Sequence, residues 1–337
     1  MKRTRATAIL SALLLAASLT GCSIQPKKYT RDIYAMNTFM SLTAYGSSAE
    51  SALSEVEDCI SNLEKELSVT LPDSDISRLN TSGRAEVSRD TRSLISEADK
   101  ISRQTGGALD ITVYPIVRAW GFTTGEHHIP APAELTVLLS RVDYTRIAVD
   151  GDKVTLPEGF EIDLGSLAKG YASDRAAEIL HGNGVTSAIL NLGGNVCAIG
   201  SKPDGSPWKV AAASPFDDLE YLGIFSVQDK FVITSGKYER FFTGEDGKRY
   251  HHIIDPATGY PSENGVEAVT IIGTNGAECD ALSTAMLVLG ADKAVDYWRQ
   301  YGGFDMLIVT ADRKLMITSG IAQDFSDRSG FPIEIIE

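Results

Sequence analysis

SAILNLGGNVCAIG, Ser187 to Gly200, reads as two short apolar strands meeting at a glycine pair. Aliphatic and β-branched residues fill Ser187–Leu192 and Val196–Ile199, and the break between them is Gly193-Gly194. Paired glycines at a strand end let another backbone or a planar ligand approach closely. Similar runs follow at Lys209–Ala213, Gly223–Val227, Phe231–Thr234 and Val266–Ile272, then a last hairpin of Met306–Val309 with Lys314–Thr318. Upstream, Ile33–Tyr45 carries β-formers around Met36-Asn37-Thr38 and is expected to be one strand. Arg146–Leu156 is expected to be a hairpin turning at Asp150-Gly151.

Between these runs lie helical periods. Ala52, Leu53, Val56, Ile60, Leu63 and Leu67 recur at helical spacing over Ala49–Leu67. A second helix fits Asp90–Gln104, with Leu94, Ile95, Ala98 and Ile101 inward and Gly106-Gly107 as its stop. A third runs from about Leu167 to His181, with Ser166 placed as its N-cap and Gly182 to Gly184 closing it. Ala277–Leu289 is a fourth, and Val295 lies in a further short one. Strands outnumber helices and come in hairpin-like runs rather than alternating with them, so the class is α+β. There is no short-period repeat and no Pro/Gly/Ser linker within residues 31–337, which are expected to form a single domain with any two lobes interwoven.

The 337 residues are 23% charged and 43% hydrophobic, an ordinary globular composition that excludes disorder and a multi-span membrane protein. A formal charge of −14 argues against a nucleic-acid partner, because phosphate backbones need basic stripes. An anionic ligand still fits where backbone amides, a local Lys or a metal ion supply positive field. At the N-terminus Lys2, Arg3 and Arg5 precede an apolar run, Ala6–Leu19, with the layout of a secretory signal. The run is shorter than the roughly 20 apolar residues of a comfortable membrane span. Leu19-Thr20-Gly21-Cys22 resembles a bacterial lipobox. By that resemblance residues 1–21 are a lipoprotein signal peptide, Cys22 is lipidated and residues 22–30 are a tether. The protein is then exported and lipid-anchored to the outer face of a bacterial cell membrane, or on its periplasmic side. Ordinary signal cleavage, with Cys22 incidental, is the alternative. Cys59, Cys197 and Cys279 have no disulfide or metal spacing, and the first two are expected to be buried small hydrophobes.

Four segments carry candidate chemistry. On a helix, positions i, i+3 and i+4 share a face, so the Asp280 carboxylate converges with the Ser283 and Thr284 hydroxyls. Such hard oxygen donors suit Mg²⁺ or Ca²⁺ and not zinc. Alternatively, Asp280 caps a helix start and both hydroxyls bond back to the backbone. Asp163-Leu164-Gly165-Ser166-Leu167-Ala168-Lys169-Gly170 gathers a carboxylate, a hydroxyl and a Lys at a helix N-terminus, where an anion is favoured. A structural strand-to-helix turn explains Ser166 equally well. Tyr250-His251-His252-Ile253-Ile254 runs into the strong turn Asp255-Pro256-Ala257-Thr258-Gly259. On a regular strand the two histidines face opposite sides, so one of them can reach a site, as a general base or as a buried structural group. Gly107 to Thr112, with Trp120-Gly121-Phe122, adds a carboxylate, an apolar wall and aromatic rings that also suit plain packing.

Together and in this order the segments resemble the FAD:protein FMN transferases, the ApbE family of exported lipoproteins. The resemblance runs from about Tyr34 to Gly290. It rests on Met36-Asn37-Thr38; Ser74-Asp75-Ile76-Ser77-Arg78-Leu79-Asn80; Ala108-Leu109-Asp110-Ile111-Thr112 with Trp120-Gly121-Phe122; Asp163 to Gly170; and Leu192-Gly193-Gly194-Asn195. Ser235-Gly236 with Tyr238-Glu239-Arg240, His252 to Pro256 with Thr258-Gly259, and Asp280 to Thr284 complete it. It implies a two-lobed α+β domain of mostly antiparallel sheets flanked by helices, with FAD in a cleft between lobes. It further implies FAD contacts at Met36, Ala108, Leu109, Asp110, Asp163, Lys169 and Ile254, and Mg²⁺ (one or two ions) on Ser166, Asp280, Ser283 and Thr284. His252 would be the catalytic base. The activity implied is transfer of the FMN moiety of FAD to a Thr or Ser hydroxyl, with release of AMP. The acceptors would be exported flavoproteins of membrane redox systems. The chain departs from the family at Asn37 (often Gly), at Ser166 (often Thr) and at Thr70, where an aromatic often stacks on the flavin. A metal-dependent FAD pyrophosphatase, a flavin-binding lipoprotein without turnover and a structural lipoprotein are the competing readings.

Overall fold

The computed structural model describes residues 25–337. The expected signal peptide and Cys22 lie outside the described residues. Nine strands form the main sheet: β1 (Lys28–Ala35), β2 (Thr38–Tyr45), β3 (Ser187–Leu192), β4 (Asn195–Gly200), β5 (Lys230–Gly236), β6 (Val266–Gly273), β7 (Asp305–Thr310), β8 (Leu315–Thr318) and β9 (Ile333–Ile336). Their order across the sheet follows their order in the chain. Neighbours are antiparallel until the last pair, β8 and β9, which is parallel. β1–β2, β3–β4 and β7–β8 are hairpins, since antiparallel neighbours can be joined by short turns, while the longer links carry the helices and the smaller sheets.

Both faces are covered, and the side-chain period of two sorts the strands between them. Cys197, Ile199, Ile233, Val269, Ile271, Met306 and Ile308 point into the main core. There they meet the apolar sides of α1 (Ala49–Leu67), α2 (Asp75–Ser82), α3 (Arg89–Gln104), α4 (Ala168–Gly182), α5 (Gly276–Leu289) and α6 (Ala291–Tyr301). Ala198, Val232, Ala268, Ile272, Leu307 and Val309 point the other way. They pack on a three-stranded sheet made of residues Trp208–Ala213, Tyr221–Val227 and Phe325–Asp327. A separate apolar cluster of Ile116, Trp120, Leu135 and Ile254 makes a smaller lobe. The class is α+β with mostly antiparallel sheets, as the hairpin-like runs indicate.

Several local expectations need correction. Ile33–Tyr45 is a hairpin rather than one strand, because Met36 and Asn37 both take positive φ (48° and 59°) and turn the chain. Two consecutive positive φ values make the turn whose twist matches antiparallel strands, and Asn tolerates that conformation. Lys28 to Thr30, assigned to the tether, already pair with Tyr45 to Thr43, so the folded domain begins before residue 31. Ser166 is not the N-cap of α4. Leu167 holds that position without a side-chain cap. The Gly170 N–H in the first turn instead donates to Asp280 of another helix. Cys59 is only half-buried, whereas Cys197 and Cys279 are buried. Helix α2 and the short helices Tyr114–Ala119 and Pro132–Leu139 are too short for a hydrophobic period to announce them.

Candidate functional site

The site begins where two helices touch backbone to backbone. A Cβ at Gly170 would lie 2.1 Å from the Gly276 carbonyl oxygen and 2.7 Å from Asp280 Cβ. A Cβ at Gly276 would lie 2.3 Å from the Gly170 carbonyl oxygen. Only glycine on both sides permits that approach. The crossing is antiparallel, and each helix caps the other. Asp280 Oδ2 of α5 accepts from Gly170 N of α4 at 2.8 Å. Asp174 of α4 accepts from Gly276 N at 2.6 Å and Ala277 N at 2.8 Å. These N–H groups are the donors a helix start leaves unpaired. Burial pushes the Asp174 carboxyl up to about 6, against the pull of those two N–H groups.

Asp280, Ser283 and Thr284 share one face of α5, as their spacing predicts. Asp280 is buried, and that burial raises its pKa, while the Lys169 ammonium, Gly170 N–H and the Asn195 amide favour its charged form. Asn195 is 1% exposed, and its Nδ2 completes no hydrogen bond. Ser283 Oγ donates to the Asp280 carbonyl at 2.8 Å. Ser235, on the helix-facing side of β5, brings its Oγ to 2.7 Å from Ser283 Oγ and 3.1 Å from Thr284 Oγ1. Ser166 lies in the turn before α4, half-buried, and among the described residues no hydrogen bond ties it to this group. Among the described residues no three His, Cys, Asp or Glu side chains gather as a metal cluster. One buried carboxylate with several hydroxyls is a hard-oxygen set, too sparse for zinc. It fits Mg²⁺, which keeps waters and takes remaining ligands from phosphate oxygens.

Charge reaches outward from this corner. Lys169 acts on Asp280, Glu239 and His252, and Arg240 acts on Asp163, Glu239 and His252. Four of the expected site residues (Asp163, Lys169, His252 and Asp280) therefore occupy one electrostatic neighbourhood. The histidine pair divides as the strand period requires. His251 is 2% exposed; its Nδ1 accepts from Ile253 N at 3.3 Å, so Nε2 carries the proton and donates to the Ser262 carbonyl at 3.1 Å. Burial lowers its pKa to about 4. His252 turns the other way, half-buried, with Nδ1 at 3.2 Å from the Arg240 carbonyl. Burial, Arg240 and Lys169 depress its pKa to about 3, so the ring is neutral. A carbonyl cannot donate, so Nδ1 carries the hydrogen and the Nε2 lone pair is free.

The flavin-side candidates are held differently. Met36 sits in the positive-φ turn, with its N–H on Glu64 Oε1 at 2.8 Å. The turn abuts the glycine pair, since a Cβ at Gly193 would lie 2.3 Å from Thr38 Oγ1. Asp163 N donates to the Ile111 carbonyl at 3.0 Å, which ties the segment from Ala108 to Thr112 to the loop before α4. Within that segment Leu109 is buried in the main core. Asp110 spends one oxygen on Thr112 N (2.8 Å) and Thr112 Oγ1 (2.6 Å) and the other on Tyr144 N (3.0 Å). Both side chains are committed to the fold, which leaves half-buried Ala108 and backbone atoms to face a ligand. Ile254 is buried against Trp120, whose Nε1 donates to the Gly259 carbonyl at 2.9 Å and docks the Asp255–Gly259 turn. Phe122 stands edge-on to His252, with ring centres 6.3 Å apart. Thr70 lies in the exposed turn after α1, its N–H on Ser68 Oγ at 3.1 Å. Ser235, Asn195 and Asp174 carry no signal in the sequence that marks them as site residues; the first two lie in the motifs above, but only contacts across the fold give them partners.

Comparison with known proteins gives a consistent result. A model of the ApbE family matches residues 36–308. A FAD:protein FMN transferase of Treponema pallidum is 30% identical, over 93% of this chain and 93% of its own. One from Klebsiella pneumoniae is 33% identical, over 80% of this chain and 85% of its own. Among solved structures, the ApbE protein of Thermotoga maritima superimposes with a TM-score of 0.83 at 31% identity, covering 90% of this chain and 100% of that one. The flavin transferase ApbE of Vibrio cholerae gives 0.80 at 26% identity, covering 89% and 99%.

Proposed function

Because the chain belongs to the ApbE family, we infer that it is a FAD:protein FMN transferase, an enzyme that takes FAD as substrate and moves its FMN moiety onto a protein. The finer reading is that transfer is Mg²⁺-dependent, with the ion on Asp280, Ser283, Thr284 and Ser166. The observation that carries it is the convergence of the buried Asp280 carboxylate with the Ser283 and Thr284 hydroxyls, which Ser235 bridges, beside Lys169 at the N-terminal end of α4.

In the reaction, a Thr or Ser hydroxyl of the acceptor attacks the FMN-side phosphorus of FAD. A new P–O bond forms, the bond to the bridging oxygen breaks, and AMP leaves. Bound Mg²⁺ would neutralise pyrophosphate charge and favour departure of AMP. Lys169 adds fixed positive charge on the same side. His252 receives the acceptor's proton at Nε2, because Nδ1–H is held on the Arg240 carbonyl. Met36, Ala108, Leu109, Asp110, Asp163 and Ile254 would border the flavin, with Leu109, Asp110 and Ile254 acting through backbone and shape.

Export and lipid anchoring at Cys22 belong to the same proposal, supported by the charged and apolar N-terminal runs. Such an enzyme would meet exported FMN-accepting flavoproteins of membrane redox systems. Cys22→Ala should move the protein from membrane to soluble fractions; retention in the membrane would refute the anchor. The decisive assay combines the full-length protein, FAD, Mg²⁺ and a candidate acceptor. Flavin fluorescence should stay on the acceptor through denaturing electrophoresis. AMP release in quantity without a labelled acceptor would instead make the enzyme a pyrophosphatase.

A further inference from the structure

The three hydroxyls near Asp280 can be ordered by counting protons. Each hydroxyl has one proton to give and two lone pairs. Ser283 Oγ donates to the Asp280 carbonyl at 2.8 Å, which can only accept. The 2.7 Å contact between Ser235 and Ser283 must therefore run from Ser235 to Ser283. With its proton spent, Ser235 can only accept in the 3.1 Å contact with Thr284, so Thr284 donates. The chain of protons is Thr284 to Ser235 to Ser283 to the Asp280 carbonyl. Its far end, Thr284 Oγ1, keeps both lone pairs and has no proton left to point outward. A hydroxyl in that state is a cation ligand; one with its proton facing the ion is not.

We propose that Ser235 is a positioning residue that turns the Thr284 hydroxyl so that its lone pairs face the divalent cation. The inference rests on the metal reading above. Helical Ser and Thr hydroxyls ordinarily bond back to the carbonyl three or four residues earlier. For Thr284 those carbonyls belong to Ala281 and Asp280, and Ser283 already holds the Asp280 one. Ser235 supplies Thr284 with another acceptor, from a strand outside the helix. It can do so because β5 alternates: Ile233 faces the helices and packs in the main core, and Ser235 is two positions on. Without Ser235, Thr284 would bond back to the Ala281 or Asp280 carbonyl and turn Oγ1 out of place.

The test is titration of Mn²⁺ into the full-length protein holding FAD, with free ion read by electron paramagnetic resonance. Ser235→Ala should weaken Mn²⁺ binding roughly 10- to 100-fold, the usual effect of losing a partner that orients a ligand. Ser235→Thr, which keeps the hydroxyl, should restore affinity close to the wild type. In a Thr284→Val background, Ser235→Ala should cause no further loss. FAD affinity in EDTA should not change. Wild-type Mn²⁺ affinity in Ser235→Ala, an additive loss in the Thr284→Val background, or an equal fall in metal-free FAD affinity would each overturn the proposal. Asp280→Asn separates the two levels: if that variant also binds Mn²⁺ like the wild type, the metal reading itself fails.

Discussion

Asp280 is buried, accepts one backbone N–H, from Gly170, and has the Lys169 ammonium as its neighbouring positive charge. A carboxylate so placed is costly unless a cation completes it. Asp280→Asn keeps an oxygen for Gly170 and removes the charge. Turnover should fall by roughly 10³-fold, the worth of several kcal/mol of charge stabilisation, with the unfolding midpoint little changed. Full activity in that variant would discard the metal assignment. His252 makes a different kind of prediction. With its pKa lowered to about 3, the ring is already neutral at pH 8 and remains so to pH 5. The acid limb of kcat/KM, which reports the free enzyme, should then lie below pH 5. A limb near pH 6.5 that vanishes in His252→Ala would show a solvated imidazole instead.

At the scale of elements, the site depends on how closely α4 and α5 approach. Gly170 and Gly182 lie in one helix, yet a Cβ meets Gly276 backbone at 2.1 Å at the first and nothing within 4 Å at the second. Gly170→Ala should therefore destabilise by about 1–3 kcal/mol, typical of overpacking, and should lower activity by displacing Asp280 and Lys169. Gly182→Ala should be neutral or stabilising by up to about 1 kcal/mol. Chemical denaturation of the two variants, with activity measured alongside, checks the contrast; equal stabilities would mean that the helices do not touch. The same crossing explains the misplaced N-cap. Ser166 is the right residue type one position too early, because the first turn of α4 draws its acceptor from Asp280.

For the molecule as a whole, acid should weaken the fold through His251. Its pKa is about 4 in the folded state, below the ordinary 6.5. Between those values the unfolded chain binds more protons, so stability is greatest above pH 6.5 and falls as pH drops towards 4. From pH 6.5 to 5 the loss from this one side chain is about 2 kcal/mol. Asp174 acts in the opposite sense. Its pKa is raised to about 6, so from pH 6 downward the folded state binds the extra proton and part of the loss is offset. Unfolding free energies at pH 7 and 5 should thus decline in the wild type and decline more steeply in Asp174→Asn. A wild type that gains stability on acidification would contradict the burial of His251.

What the chain itself announces is whatever local period and residue chemistry can carry. The hairpin-like strand runs gave the α+β class, the bounds of α1 appear in the spacing of Ala52 to Leu67, and i, i+3, i+4 spacing gathered Asp280, Ser283 and Thr284 on one face. The motif resemblance gave the family, which the comparisons bear out. The tertiary structure alone decided which donors and charges meet. It brought Ser235 from β5 to α5, Asp174 to a helix start about a hundred residues away, and Lys169 and Arg240 within electrostatic reach of His252. It also showed that Asp110 spends its carboxylate on Thr112 and Tyr144. The reason is physical: spacing along one element fixes the direction a side chain leaves it, whereas hydrogen-bond partners, burial and proton affinity depend on surroundings supplied by residues far away in the chain.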